Sequence, residues 1–333
     1  MGSQRIRYID EAKALGIMLV ILGHCVWLKE IPGLPRIIYS FHIPLFFIIS
    51  GFFIKPMQIN VAIKKYACTY LKAYYTAVII ALCCVLFISF FIEPKVENII
   101  KDWIIRTLFA SGAKQGYYTS NIPIIGPLWF LWALFWACVV YSFFLYLRLG
   151  NPIKALIIVF GLAFSVITID YVKFPLSIQA GCIALFFIWI GQMIKEYNYI
   201  EVVEKVIKNS YYISLFGFLL WGGSIYITVV DFGMCRIGCG PINVFVSIYI
   251  SLIILCILKN VKLPNFVGDA IGTHTLSILC GHFTLHYIFY TFGWPAKCFP
   301  FSPIINLIIE YLMEVGGAFV FAVVYVKLGI IRK

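Results

Sequence analysis

Apolar residues run along this chain in long blocks separated by short turns. Blocks long enough to cross about 30 Å of hydrocarbon fall near 11–28, 37–54, 73–92, 126–147, 155–170, 175–194, 211–230, 242–258, 267–291 and 303–326. Breaker residues lie between them, at Pro32-Gly33, Glu93-Pro94, Asn121 to Pro127, Gly150-Asn151-Pro152, Gly238 to Pro241 and Pro300 to Pro303. The pattern predicts an all-α fold, a polytopic transmembrane helical bundle of about ten spans, with residues 1–333 as a single integral-membrane domain. Residues 93–125 mix Lys101, Asp102 and Arg106 with Trp103, Ile104 and Leu108, which suits a helix lying on the outer interface. Residues 56–72, carrying Lys64, Lys65 and Lys72, suit the inner surface in the same way.

Ionisable residues interrupt the apolar blocks, and in a membrane each is a functional candidate because its burial is costly. Lys13 and His24 stand eleven residues apart on the first span. At about 100° and 1.5 Å per residue they share one helix face and are separated by roughly 16 Å along it. A cation near the inner surface and an imidazole deeper in the bilayer suit a long, thin, anionic cosubstrate such as coenzyme A. By position in their spans, His42, His282 and Glu310 lie at the same outer depth as His24. These four are the candidate catalytic groups, with Glu310 expected to orient an imidazole as a base. Glu314 is a weaker candidate; His286, one turn past His282 near the interface, reads as packing and His274 as a helix-start or interface residue, and Asp10 is expected to pair with Lys13 or Arg7. Trp129 offers a stacking face to a sugar ring, and Arg36 and Ser50 complete the candidate acceptor contacts, although Ser50-Gly51 equally permits close helix packing. Trp132 and Trp136 read as part of an aromatic belt.

Composition sharpens this picture. Of 333 residues, 62% are hydrophobic and 12% charged, which excludes an ordinary soluble domain. The basic residues, assigned loop by loop, fall seventeen to one side and nine to the other, and the larger share places both termini in the cytoplasm. That bias accounts for the net charge of +12 without nucleic acid as a partner. Most of the 11 cysteines lie within spans, but Cys235, Cys239 and Cys298 fall on the outer side, as a bridge or as free thiols. No metal site is expected, because further ligands at close spacing are missing.

The segment from Tyr8 to His24, with FHIPLFFIISGFF at 41–53, LWFLWALF at 128–135 and IGTHTLSILCGH at 271–282, resembles the membrane-bound acyltransferase family 3. That family includes O-acetyltransferases of bacterial surface polysaccharides. The resemblance implies transfer of an acyl group, usually acetyl, from cytoplasmic acetyl-CoA to a hydroxyl of a glycan or lipid-linked sugar acceptor. It implies a multi-pass protein of the bacterial cytoplasmic (inner) membrane, in contact with membrane lipid. Under it His24 is the base or acyl relay, and His282 stands where members often carry a histidine. The donor phosphates would fall to Lys13, Arg7, Lys64, Lys65 and Lys72. Many members have arginines followed by proline at the start of span three, whereas this chain has lysines, which neutralise phosphate without the bidentate fork. The alternative is a proton-coupled transporter or flippase for a glycan or lipid precursor, whose paired repeats with interrupted helices are not detected.

Overall fold

A computed structural model describes residues 5–92, 96–112, 122–228, 231–292, 301–327 and 329. Among these the chain is almost wholly helical, and the only extended pairing is one antiparallel bridge between Asp231 and Arg236. In chain order the helices are α1 (Arg7–His24), α2 (Leu34–Tyr39), α3 (His42–Gly51), α4 (Ile59–Tyr66), α5 (Lys72–Ile92), α6 (Val96–Phe109) and α7 (Trp129–Tyr146). There follow α8 (Asn151–Thr168), α9 (Ile178–Glu196), α10 (Tyr199–Asn209), α11 (Tyr211–Ile227), α12 (Pro241–Asn260), α13 (Thr275–Phe292) and α14 (Pro303–Lys327).

Each of the ten apolar blocks is helical over most of its described residues. Seven of the helical runs are long and apolar enough to cross a membrane, or eight if α10 and α11, bent by 108° at Ser210, form one span. Two blocks fall short of that measure for reasons visible in their residues: α1 opens with Arg7, Asp10, Glu11 and Lys13, and α13 carries Thr275, Ser277, His282, Thr284 and His286. The first block also stops being α-helical earlier than its hydropathy suggests. Cys25 is extended (φ −62°, ψ 132°) and Val26–Glu30 forms a 3-10 turn. The second block is divided at Ser40 and Phe41 into α2 and α3. Residues 59–91 form one continuous run in which a π-helical turn, Ala67–Leu71, joins α4 to α5.

Sequestered polar side chains and lipid-facing apolar ones set the character of the bundle. Phe90, Phe160 and Tyr226 are 73%, 74% and 82% exposed, as side chains turned toward hydrocarbon would be. His282, Asn306, Glu310 and Glu314 are at most 2% exposed. The centre is built by α3, α7, α9 and α13, with α13 packed on α14 and α5. Helices α3 and α9 meet backbone to backbone: a Cβ added at Gly191 would collide with the Ile48 carbonyl oxygen, and one at Gly51 with that of Ile188. Trp132 is buried instead of joining a lipid-facing belt, and the half-buried Trp136 stacks on it with ring centroids 6.0 Å apart while its indole donates to the Leu176 carbonyl (3.0 Å). Cys235 and Cys239 are free thiols; Cys298 lies outside the described residues.

Candidate active site

A cavity of about 1040 Å³ runs through the bundle. Lys13, Ile17, Val20 and His24, three or four residues apart, all line it, so one face of α1 forms one wall, as helical periodicity requires. Lys65, Tyr66, Thr69 and Tyr70 line it where α4 passes through the π-turn into α5. Tyr66 bonds Ser142 near the C-terminal end of α7 (3.2 Å), whereas Trp129, also on the lining, begins that helix. Thirteen residues separate Ser142 from Trp129, about 20 Å of helix. The cavity therefore has a lysine-bearing end and an end bearing Trp129, Arg106 and Asp231.

Between the two ends stands a group of imidazoles. The His24 ring lies 5.5 Å from that of His282 and 5.9 Å from that of His286, centroid to centroid, and the latter two are 5.8 Å apart. Glu314 on α14 serves both α13 histidines: its Oε2 is 3.0 Å from His282 Nδ1 and its Oε1 3.6 Å from His286 Nδ1. A carboxylate only accepts, so His282 Nδ1 carries the hydrogen, and its buried Nε2 has no partner among the described residues. His42 also lines the cavity, donating from Nδ1 to the Ile38 carbonyl (2.7 Å) with its ring edge-on to Tyr39. The Tyr39 hydroxyl in turn donates to the Gly23 carbonyl (2.7 Å), which fastens α2 to the end of α1 beside His24.

Several expected contacts take other roles. Glu310 does not reach an imidazole: its two oxygens accept the Val26 and Trp27 N–H groups at 2.7 and 3.1 Å, satisfying donors at the start of the 3-10 turn. The partner of the histidines is Glu314, one turn further along α14. Arg7 is held by Glu11 (2.9 Å) and the Leu263 carbonyl and is off the cavity lining. Lys64 and Lys72 are exposed and also off it, whereas Lys65, itself exposed, is on the lining. Arg36 donates to the Ile225 and Tyr226 carbonyls, tying α2 to α11. Ser50 lines the cavity but spends its hydroxyl on the Phe46 carbonyl (2.8 Å). Asp10 pairs with Lys13 (3.1 Å) as expected, and with Arg5 (2.7 Å) in place of Arg7.

Three further groups line the cavity, of which His286 is legible in the sequence as the position one turn past His282. His286 is half-buried on the wall. Arg106 donates to the Tyr287 hydroxyl and the Ile124 carbonyl, both at 3.0 Å, so α6, α13 and the loop before α7 meet at one point. Asp231, in the loop after α11, accepts the Met234 N–H at 3.1 Å; burial raises its carboxyl above the usual range, opposed by those backbone donors. Among the described residues no three His, Cys, Asp or Glu side chains are grouped so as to hold a metal ion.

A chamber in the core of a helical bundle, lined by apolar side chains with imidazoles and a few charged groups among them and with one face of α1 as its wall, fits group transfer between two substrates. A family model described as an acyltransferase domain matches residues 6–327. The chain belongs to the acyltransferase-3 family. It is thus a membrane acyltransferase, and membership favours group transfer over the transport reading. No curated protein and no solved structure matches it. In this acyltransferase, Lys13 and His24 are the two ionisable positions of the α1 face, with Phe53 beneath the Lys13 ammonium at 5.0 Å.

Proposed function

We propose that this acyltransferase takes an acyl group, acetyl in the first instance, from cytoplasmic acyl-CoA and transfers it to a hydroxyl of a cell-surface glycan or its lipid-linked precursor, within the bacterial cytoplasmic membrane. The observation that carries the proposal is the continuous cavity wall from Lys13 to His24. Donor phosphates would meet Lys13 and Lys65 at one end, and the pantetheine arm would follow Ile17 and Val20 to bring the thioester to His24. A span of about 16 Å along α1 matches the reach such an arm must have. The acceptor enters the end bearing Trp129 and Asp231. At about 1040 Å³ the cavity lies at the upper limit of ordinary ligand sites, roughly 300–1,000 Å³, as two substrates meeting in one chamber require.

His24 acts at the thioester, as base or as the group that briefly carries the acyl unit. Its ring lies half-buried on the wall beside two further imidazoles. The test is thiol release from acetyl-CoA by the purified protein, beside His24→Ala. The mutant is expected to fold and bind donor while losing transfer by on the order of 10²-fold or more. A mutant that turns over at the wild-type rate would overturn the role of His24. A wild-type protein that neither releases thiol nor binds acetyl-CoA would overturn the donor assignment.

A further inference from the structure

Three imidazoles are grouped at the middle of the cavity wall, two of them on its lining, and their surroundings differ. His282 has a carboxylate behind it and is fully buried, off the cavity lining. His24 is on the lining, with imidazoles as its ring neighbours. His286 alone of the three has both, with Glu314 Oε1 3.6 Å from Nδ1 on one side and the open chamber on the other. It also lies one helical turn beyond His282, toward Tyr287 and Arg106 at the Trp129 end. A carboxylate behind Nδ1 fixes the tautomer, leaves Nε2 as the free base and stabilises the imidazolium that forms when a proton is taken. Glu314 is itself held by its bond to His282, which leaves its second oxygen facing His286 Nδ1 at 3.6 Å, within ion-pair reach.

We infer that His286, backed by Glu314, is the base that takes the proton from the acceptor hydroxyl, while His24 acts on the donor side. This rests on the acyl-transfer reading above and divides its chemistry between two histidines. The hydroxyl gives its proton to His286 Nε2, and its oxygen forms a bond to the thioester carbonyl carbon. The carbon–sulfur bond breaks, and the thiolate leaves with the electron pair. The proton held by His286 then passes to the thiolate, so that ester and free thiol are the products and the enzyme is unchanged. If His24 first takes the acyl group, the same base serves the second half of the reaction. Glu314 is a positioning residue throughout. His282 anchors it.

The assay is transfer of label from acetyl-CoA to membrane vesicles of the source cells, whose own glycans serve as acceptor, with donor affinity measured by calorimetry on each variant. His286→Gln should lower kcat by on the order of 10²–10⁴-fold and leave donor affinity within about twofold. Glu314→Gln should lower kcat with both KM values unchanged, and imidazole added to His286→Ala should restore part of the lost rate. A His286→Gln variant keeping a third or more of the wild-type kcat would overturn the inference. So would a donor affinity that falls with the rate, or an absence of imidazole rescue. If the wild-type protein itself transfers no label, the broader acyl-transfer reading fails instead, so the two failures are distinguishable.

Discussion

Glu310 and Glu314 stand one turn apart on α14, equally buried, and do different work. Glu310 holds the Val26 and Trp27 amides where the chain leaves α1; Glu314 holds His282 and approaches His286. Glu310→Gln exchanges an acceptor oxygen for an NH2 group that cannot accept from an amide, leaving one buried donor unpaired at about 1–3 kcal/mol. A lowered melting temperature is the expected outcome, with transfer per folded molecule reduced less than in Glu314→Gln. Equal loss of rate in the two variants, at unchanged melting temperature, would show that Glu310 too belongs to the chemistry. That the region holds a carboxylate serving an imidazole is legible in the sequence, because both groups interrupt apolar blocks at similar depth. Which carboxylate serves is not legible. Residues 310 and 314 share one face, and the choice depends on how α13 and α14 are rotated against each other.

At the scale of elements, the α1 face is the part of the site most fully readable in advance. Its spacing is local, and Lys13 and His24, read from the sequence as sharing one face, both line the cavity. The lysines of 64–72 are less readable: only Lys65 of the three reaches the lining, Lys64 faces about 100° away on the same helix, and the π-turn Ala67–Leu71 alters the angular step before Lys72. The break after His24 is also hidden: hydropathy continues through Val26, Trp27 and Leu28, and only the distant Glu310 accounts for the turn there. Between α3 and α9 the two glycines permit a contact that no side chain cushions. Gly191→Ala should therefore destabilise the protein by about 1–3 kcal/mol, read as a lower melting temperature in detergent. A neutral result would mean that the two helices can part enough to admit a methyl group.

For the whole molecule, the apolar blocks foretell an all-helical bundle, and each block is helical over most of its described residues. Hydropathy does not foretell which blocks are interrupted. Charge distribution acts at this scale as well. The lysines at one end of the cavity are expected to draw an anionic donor by long-range attraction that salt screens over about 8–10 Å. Lys13→Ala should weaken acetyl-CoA binding most at low ionic strength, and the slope of affinity against salt should flatten. An affinity and slope equal to wild type would remove Lys13 from the donor path.

The backbone contact between α3 and α9 bears on how the chamber opens. Helix α3 brings His42, Phe46 and Ser50 to the lining and is clamped to α9 at Gly51 and Gly191, where backbone meets backbone. It acts as the fixed jaw of a vice. Whatever widening admits a bulky acceptor falls to the loop segments 122–127 and 231–234, which the Arg106 and Tyr287 bonds to Ile124 and the buried side chains of Ile125 and Phe232 hold in place.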